Sequence, residues 1–259
     1  MKGEIICDGT RTENVIRLCR ERGVGIEVQA FYHPDALPDE PLLHRTIERV
    51  RGIGTVAFHG PFGDLNPGSF DSLVRSITRQ RIEEGFRVAL RLRAAHVVFH
   101  TGRVHGAGPA EGWIQRAIVF WRSFMRDVPE DVHVYLENML DEGPEILAGV
   151  LGGVEQPNLR ANLDIGHAHC NSAIPVLDWI AALGDRIGYV HMSDNHGAED
   201  EHLGLGKGTI PMEAVCEALE EHSPEALWAI EAEGIGIQDS LRWLDAHGFN
   251  PAPSPTGQE

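Results

Sequence analysis

The feature that most limits how this chain can fold is an alternation. Eight short β-rich runs recur along it: 3–8 (GEIICD), 25–31 (GIEVQAF), 55–60 (TVAFHG), 96–101 (HVVFHT), 132–138 (VHVYLEN), 159–166 (LRANLDIG), 187–193 (IGYVHMS) and 226–232 (ALWAIEA). Each is followed by a segment whose apolar residues return at helical spacing. Short strands alternating with helices predict a parallel sheet, and eight such units at roughly 30-residue spacing predict one closed (β/α)8 TIM barrel of the α/β class. In the first helix Val15, Ile16, Leu18 and Cys19 share a face and Gly23 stops it, while Asp71 or Ser72 caps the long third one. A doubly wound open sheet is the alternative. It ranks lower because the residues after the first strand, CDGTRTEN, contain no glycine-rich nucleotide fingerprint. The barrel is expected to span 1–250, with a Pro-rich polar tail at 251–259.

Composition narrows the function classes. Among 259 residues, 39 are acidic and 22 basic, a formal net charge of -17, and only Lys2 and Lys207 are lysines. Phosphate-backbone binding draws on clustered Lys and Arg, so this balance argues against a nucleic-acid partner, although bound metal would cancel part of it. No stretch approaches the ~20 apolar residues of a membrane span, and the N-terminus reads as a first strand rather than a signal peptide. A cytoplasmic protein with no membrane partner is expected, and a homo-oligomer is compatible with it. The four cysteines, Cys7, Cys19, Cys170 and Cys216, are scattered with no C-x-x-C pair, which argues against a disulfide framework or a thiolate zinc site.

In this architecture the active site lies at the C-terminal ends of the strands and in the loops that follow. There the sequence places His59 (third strand), His100 (fourth), Glu137 (fifth), Asp164 and His167 (sixth), His191 (seventh), Asp200 and His202 in the next loop, and Glu231 (eighth). A single histidine at a strand end is more often a satisfied structural residue, and a single carboxylate more often caps a helix. Five histidines and four carboxylates on one face are another matter. Apolar strands such as VVFHTG and WAIEAEG do not bury ionisable groups without compensation, and a cation is the economical compensator where lysines are scarce. Mixed imidazole and carboxylate ligands suit zinc, manganese, cobalt or iron. Glu233 shares a strand face with Glu231, so alternation alone does not separate them.

The densest stretch is Tyr189–Pro211, YVHMSDNHGAEDEHLGLGKGTIP. Within it His191 is expected as a strand-end ligand and Asp194 as a loop-ordering residue. Lys207 sits in a glycine-rich turn before a helix starting near Pro211, where it would contact a substrate phosphate or remain a solvated turn lysine.

The set HGPFGDLNPGS, FHTG, LENM, LDIGHAH, VHMSDN, DEHLGLGKG and IEAEG resembles the xylose isomerase-like TIM barrel superfamily, which holds sugar and sugar-phosphate isomerases and epimerases and also endonuclease IV. The epimerase branch implies one divalent metal on Glu137, Asp164, His191 and Glu231, with Glu137 and Glu231 also the catalytic acids that move a proton next to a carbonyl through a metal-stabilised enediolate. It implies His167 as a substrate-hydroxyl partner, with His59, His100, His202, Lys207 and Phe62 lining a sugar or sugar-phosphate pocket. The endonuclease branch implies three zinc ions held by His59, His100, Glu137, Asp164, His167, His191, Asp200, His202 and Glu231, hydrolysing a phosphodiester beside an abasic site. The net charge and the acidic loops YHPDALPDE and PFGDLNPGS favour the sugar branch at this stage. A metal-retaining barrel that binds without catalysis is the third expectation.

Overall fold

A computed structural model describes residues 5–8, 13–104, 106 and 108–249, of which 5–8 are described as backbone only. The tail expected at 251–259 and the start of the first strand lie outside the described residues. The strands are β1 (Ile5–Asp8), β2 (Gly25–Val28), β3 (Val56–His59), β4 (His96–His100), β5 (His133–Glu137), β6 (Leu159–Asp164), β7 (Ile187–Met192) and β8 (Leu227–Ile230). All pair in parallel and in sequence order, and β1 closes on β8 through Ile5↔Trp228, Ile6↔Ala229 and Cys7↔Ile230. The expected barrel is therefore the observed one.

Helices cover its outside: α1 (Glu13–Arg22), α2 (Glu40–Val50), α3 (Ser72–Leu92), α4 (Ala110–Met125), α5 (Glu145–Val154), α6 (Ile165–Asn171), α7 (Val176–Leu183), α8 (Met212–His222) and α9 (Gly236–His247). Their ends follow local chemistry. Gly23, at φ +68°, lies just beyond α1, and the Asp71 carboxylate accepts the Leu73 N–H to start α3. The β6 run expected at 159–166 is shorter than its apolar pattern suggests. Asp164 ends the strand and accepts the His167 N–H, so Ile165 already belongs to α6.

Most of the core fills the layer between helices and barrel, with Trp113, Trp121, Trp179 and Trp228 fully buried. A separate small cluster, Ala57, Val98, Tyr135, Tyr189 and Ala229, lies apart from it. It combines small residues with two tyrosines whose rings are 5.1 Å apart, an interleaving that suits a tapering barrel interior. At the β6–β7 pairing the register shifts between Ala161 and Asn162, which sets Asp164 opposite His191. Gly188 lies within that irregularity, and a Cβ there would meet the Tyr135 ring at 2.7 Å. On the other side of β5, His100 pairs with Glu137.

Candidate metal centre

All nine strand-end and loop residues expected as ligands are brought to one end of the barrel. Glu137 is the hub. It is 1% exposed, and its carboxylate oxygens lie 3.3 Å from His59 Nε2, 3.4 Å from His100 Nε2, 3.4 Å from His167 Nδ1 and 3.3 Å from His191 Nδ1. Asn162 Nδ2 donates to its Oε2 at 2.9 Å and fixes the carboxylate plane. His191 Nδ1 also faces Glu231 Oε2 at 3.1 Å and Asp164 Oδ2 at 3.7 Å, so ligands from β5 to β8 meet at one point. At the outer rim Asp200 Oδ2 lies 2.7 Å from His202 Nε2 and 3.3 Å from His167 Nε2.

Each imidazole is anchored by one ring nitrogen. His59 Nδ1 lies 2.9 Å from the Gly60 carbonyl, and His202 Nδ1 3.3 Å from the Glu231 carbonyl. His167 Nδ1 lies 2.9 Å from the Asn138 carbonyl on the side that faces Glu137 and Asp164, which leaves Nε2 toward Asp200. His100 Nδ1 rests against the Met139 sulfur at 3.3 Å, and His191 Nε2 against Glu27 Oε2 at 3.1 Å. A carbonyl only accepts, so the anchored nitrogen of those rings is assigned the proton and the other offers a lone pair to the centre. Asp164 is steadied in the same way, because Asn138 donates to its carbonyl and accepts its N–H.

The donor set fits divalent metal ions on its own evidence. Asp164 Oδ2, His191 Nδ1 and Asp200 Oδ1 are buried without hydrogen-bond partners, and buried polar atoms normally have one. Three groups bring one ligand atom per residue within 4.8 Å of one another: His59, Glu137 and His191; Glu137, Asp164 and His167; and Asp164, His191 and Glu231. The proton affinities agree. Burial opposes charge on His59, but Glu137 and Glu27 hold its ring up at about 9. Burial pushes neighbouring His100 down to about 3, although the two Nε2 atoms are 3.2 Å apart. Two adjacent rings are thus driven in opposite directions by the same buried surroundings. Against the cost of burial, the surrounding imidazoles hold Glu137 well below the usual carboxylate range, and hydrogen bonding to Asp200 holds His202 at about 9.

Phe62 stacks on His100 with centroids 4.5 Å apart, and Tyr32, 51% exposed, stacks on Phe62 at 5.5 Å. This staircase walls the His59/His100 side. Asp194 orders the β7–α8 loop as expected, accepting the N–H groups of Asn195, Gly208 and Ile210 and pairing with Leu203. Glu233 is exposed while Glu231 turns to His191, which resolves the alternation ambiguity. Lys207 is exposed, and its side chain forms no hydrogen bond or ion pair among the described residues, so it is not joined to the cluster.

Sequence reasoning missed Glu27, Gln29, Asn138, Asn162 and Asp141. The buried Glu27 sits inside the apolar strand GIEV, the same signal that singled out Glu231, but short of the strand's C-terminal end. Asp141 is buried with one oxygen on Thr101 Oγ1 (2.9 Å) and the Met139 N–H (3.1 Å), and burial raises its carboxyl to about 6.

A sequence profile of the xylose isomerase-like TIM barrel family matches residues 15–247. An uncharacterized protein of Methanocaldococcus jannaschii is 30% identical over 192 residues, which cover 70% of this chain and 65% of that protein, a little under two thirds of its length. The probable endonuclease 4 of Mycobacterium leprae is 28% identical over 191 residues, covering 69% and 74%. Among solved structures, a D-tagatose 3-epimerase-like protein superposes with a TM-score of 0.78 at 24% identity, covering 94% of this chain and 96% of its own, a likeness of fold.

Proposed function

Since this chain belongs to the xylose isomerase-like TIM barrel family, we propose that it is a divalent-metal-dependent hydrolase of phosphodiesters whose centre holds up to three cations. The observation that carries this reading is the enclosure of Glu137. Four imidazoles face its two oxygens, and Asn162 takes a further lone pair. A carboxylate so enclosed would hold cations, and its contacts leave it poorly free to shuttle protons on a substrate carbon. Cations bound there would supply Lewis acidity toward a phosphoryl centre and toward the attacking water. By these contacts His59, His100 and Glu137 would hold one cation. Glu137, Asp164, His191 and Glu231 would hold a second, and His167, Asp200 and His202 a third. Asn162 and Asn138 hold the carboxylates in place, and Phe62 shields His100 from solvent. The probable endonuclease 4 relatives support the same chemistry. Three divalent cations would offset about six of the 17 excess negative charges, so the ester would be gripped chiefly by the cations rather than by lysine.

The second reading is a sugar or sugar-phosphate isomerase or epimerase with a single metal on Glu137, Asp164, His191 and Glu231. It is favoured by the acidic balance and by Glu137 and Glu231 reaching the same His191 nitrogen from β5 and from the end of β8. There the two glutamates would exchange a proton beside a carbonyl.

Counting metal ions per chain by elemental analysis, alongside two assays, separates the readings. About three equivalents with cleavage of a duplex carrying an abasic site supports the hydrolase. One equivalent, with solvent deuterium entering a ketose and no cleavage, supports the isomerase. Bound metal with neither reaction leaves the non-catalytic barrel.

A further inference from the structure

Strand β2 contributes none of the nine expected ligands, yet it reaches two of them. The Glu27 carboxylate is buried, with Tyr189 Oη donating to Oε2 at 2.7 Å and Gln29 Nε2 to Oε1 at 3.0 Å. Oε2 also receives His191 Nε2 at 3.1 Å, the nitrogen opposite the one that faces Glu137, Asp164 and Glu231. Gln29 spans further, since the same Nε2 donates to Glu231 Oε1 at 2.7 Å. One carboxylate from β2 and one amide from the residue just past its end therefore grip two ligands carried by β7 and the end of β8. The other anchored rings rest on backbone carbonyls or on a thioether. Only His191, in contact with three of the four carboxylates, has a charged anchor.

We propose that Glu27 and Gln29 are positioning residues of the metal centre: Glu27 holds His191 in the Nε2–H form with Nδ1 free for a cation, and Gln29 sets the carboxylate of Glu231. A purely structural role accounts poorly for the arrangement. A buried carboxylate is costly to keep, and an apolar residue would fill the barrel interior beside Tyr189 without that cost. Partners of this kind fix the tautomer and orientation of a ligating imidazole and raise its basicity, and their loss typically weakens metal binding about 10–100-fold. The proposal rests on the metal reading of the site, and is the same for one cation or three.

The test uses the full chain with Glu27→Gln, which keeps the side-chain volume, and Gln29→Leu. Zinc and manganese affinities are measured by competition with a chelator of known strength, the number of ions by elemental analysis, and the fold by circular dichroism. Glu27→Gln is expected to bind about 10–100-fold more weakly with an unchanged number of ions and an unchanged spectrum, and Gln29→Leu to lose less. Nitrogen-15 NMR of the metal-free wild type, recorded at a pH where the His191 ring is neutral, is expected to show its proton on Nε2, a readout that stands if Glu27→Gln does not fold. Unchanged affinity in Glu27→Gln would overturn the proposal. So would the loss of one whole equivalent, because Glu27 would then be a ligand itself. A wild-type chain that takes up no metal would sink the functional reading separately, and an Nδ1–H tautomer of His191 would still refute the role of Glu27.

Discussion

Glu137 faces so many imidazoles that its substitution is the sharpest single-residue probe. Glu137→Gln keeps the shape and the bond from Asn162 but removes the charge, and it is expected to cost at least two of the bound cations by elemental analysis. A variant that keeps the full wild-type count would contradict a bridging role. Asp141 makes a prediction about pH. Burial raises its folded carboxyl to about 6 from the ordinary 3.8, so the fold favours the protonated form. Its contribution is fully present below the unfolded value and is lost as pH rises through about 6. At ~1.4 kcal/mol per unit the loss is on the order of 3 kcal/mol. Asp141→Asn should therefore stabilise the chain by roughly 2–3 kcal/mol near pH 7.5 and have little effect near pH 4, measured by urea unfolding at both. A gain of equal size at both pH values would show that ionisation is not the cause.

At the scale of the element, the loop between β7 and α8 is tied together around one side chain. Asp194 gathers three of its N–H groups, and a Cβ on Gly208 would sit 2.3 Å from the Asn195 carbonyl. Asp194→Ala leaves those donors unsatisfied, at about 1–3 kcal/mol each when buried. It should therefore loosen Asp200 and His202 while His191 stays on its strand. The expected result is one cation fewer per chain with the inner ions retained, and equal loss at every position would argue against a separate outer subsite. The strand cores and the helix caps were legible in the sequence because each depends on local rules: alternation, a capping carboxylate, a glycine at positive φ. The support from β2 was not, because Glu27 meets Tyr189 and His191 across the closed sheet, 162 and 164 residues away. The end of β6 was misread for a related reason. Asp164 both caps α6 and faces the centre, and the apolar pattern of LDIG carries no mark of the switch.

For the whole molecule, charge and metal loading are linked. A chain with 39 acidic and 22 basic residues repels itself, and cations held by its carboxylates would relieve part of that. Binding to the native state alone adds RT ln(1 + [L]/Kd), about 2.7 kcal/mol at a hundredfold excess over Kd. Thermal unfolding should move upward with added zinc or manganese and downward after exhaustive chelation, and a transition indifferent to both would count against a resident metal. Closure of the barrel also sets an order of events during synthesis. β1 finds its second neighbour only when β8 arrives, and Glu231, whose N–H donates to the Met192 carbonyl, reaches His191 from the end of that same strand. A nascent chain on the ribosome can expose His59, His100 and Glu137 long before the cylinder is sealed. Full occupancy by cations would therefore come after translation has passed β8, and the last proposed ligand delivered would belong to the strand that locks the seam.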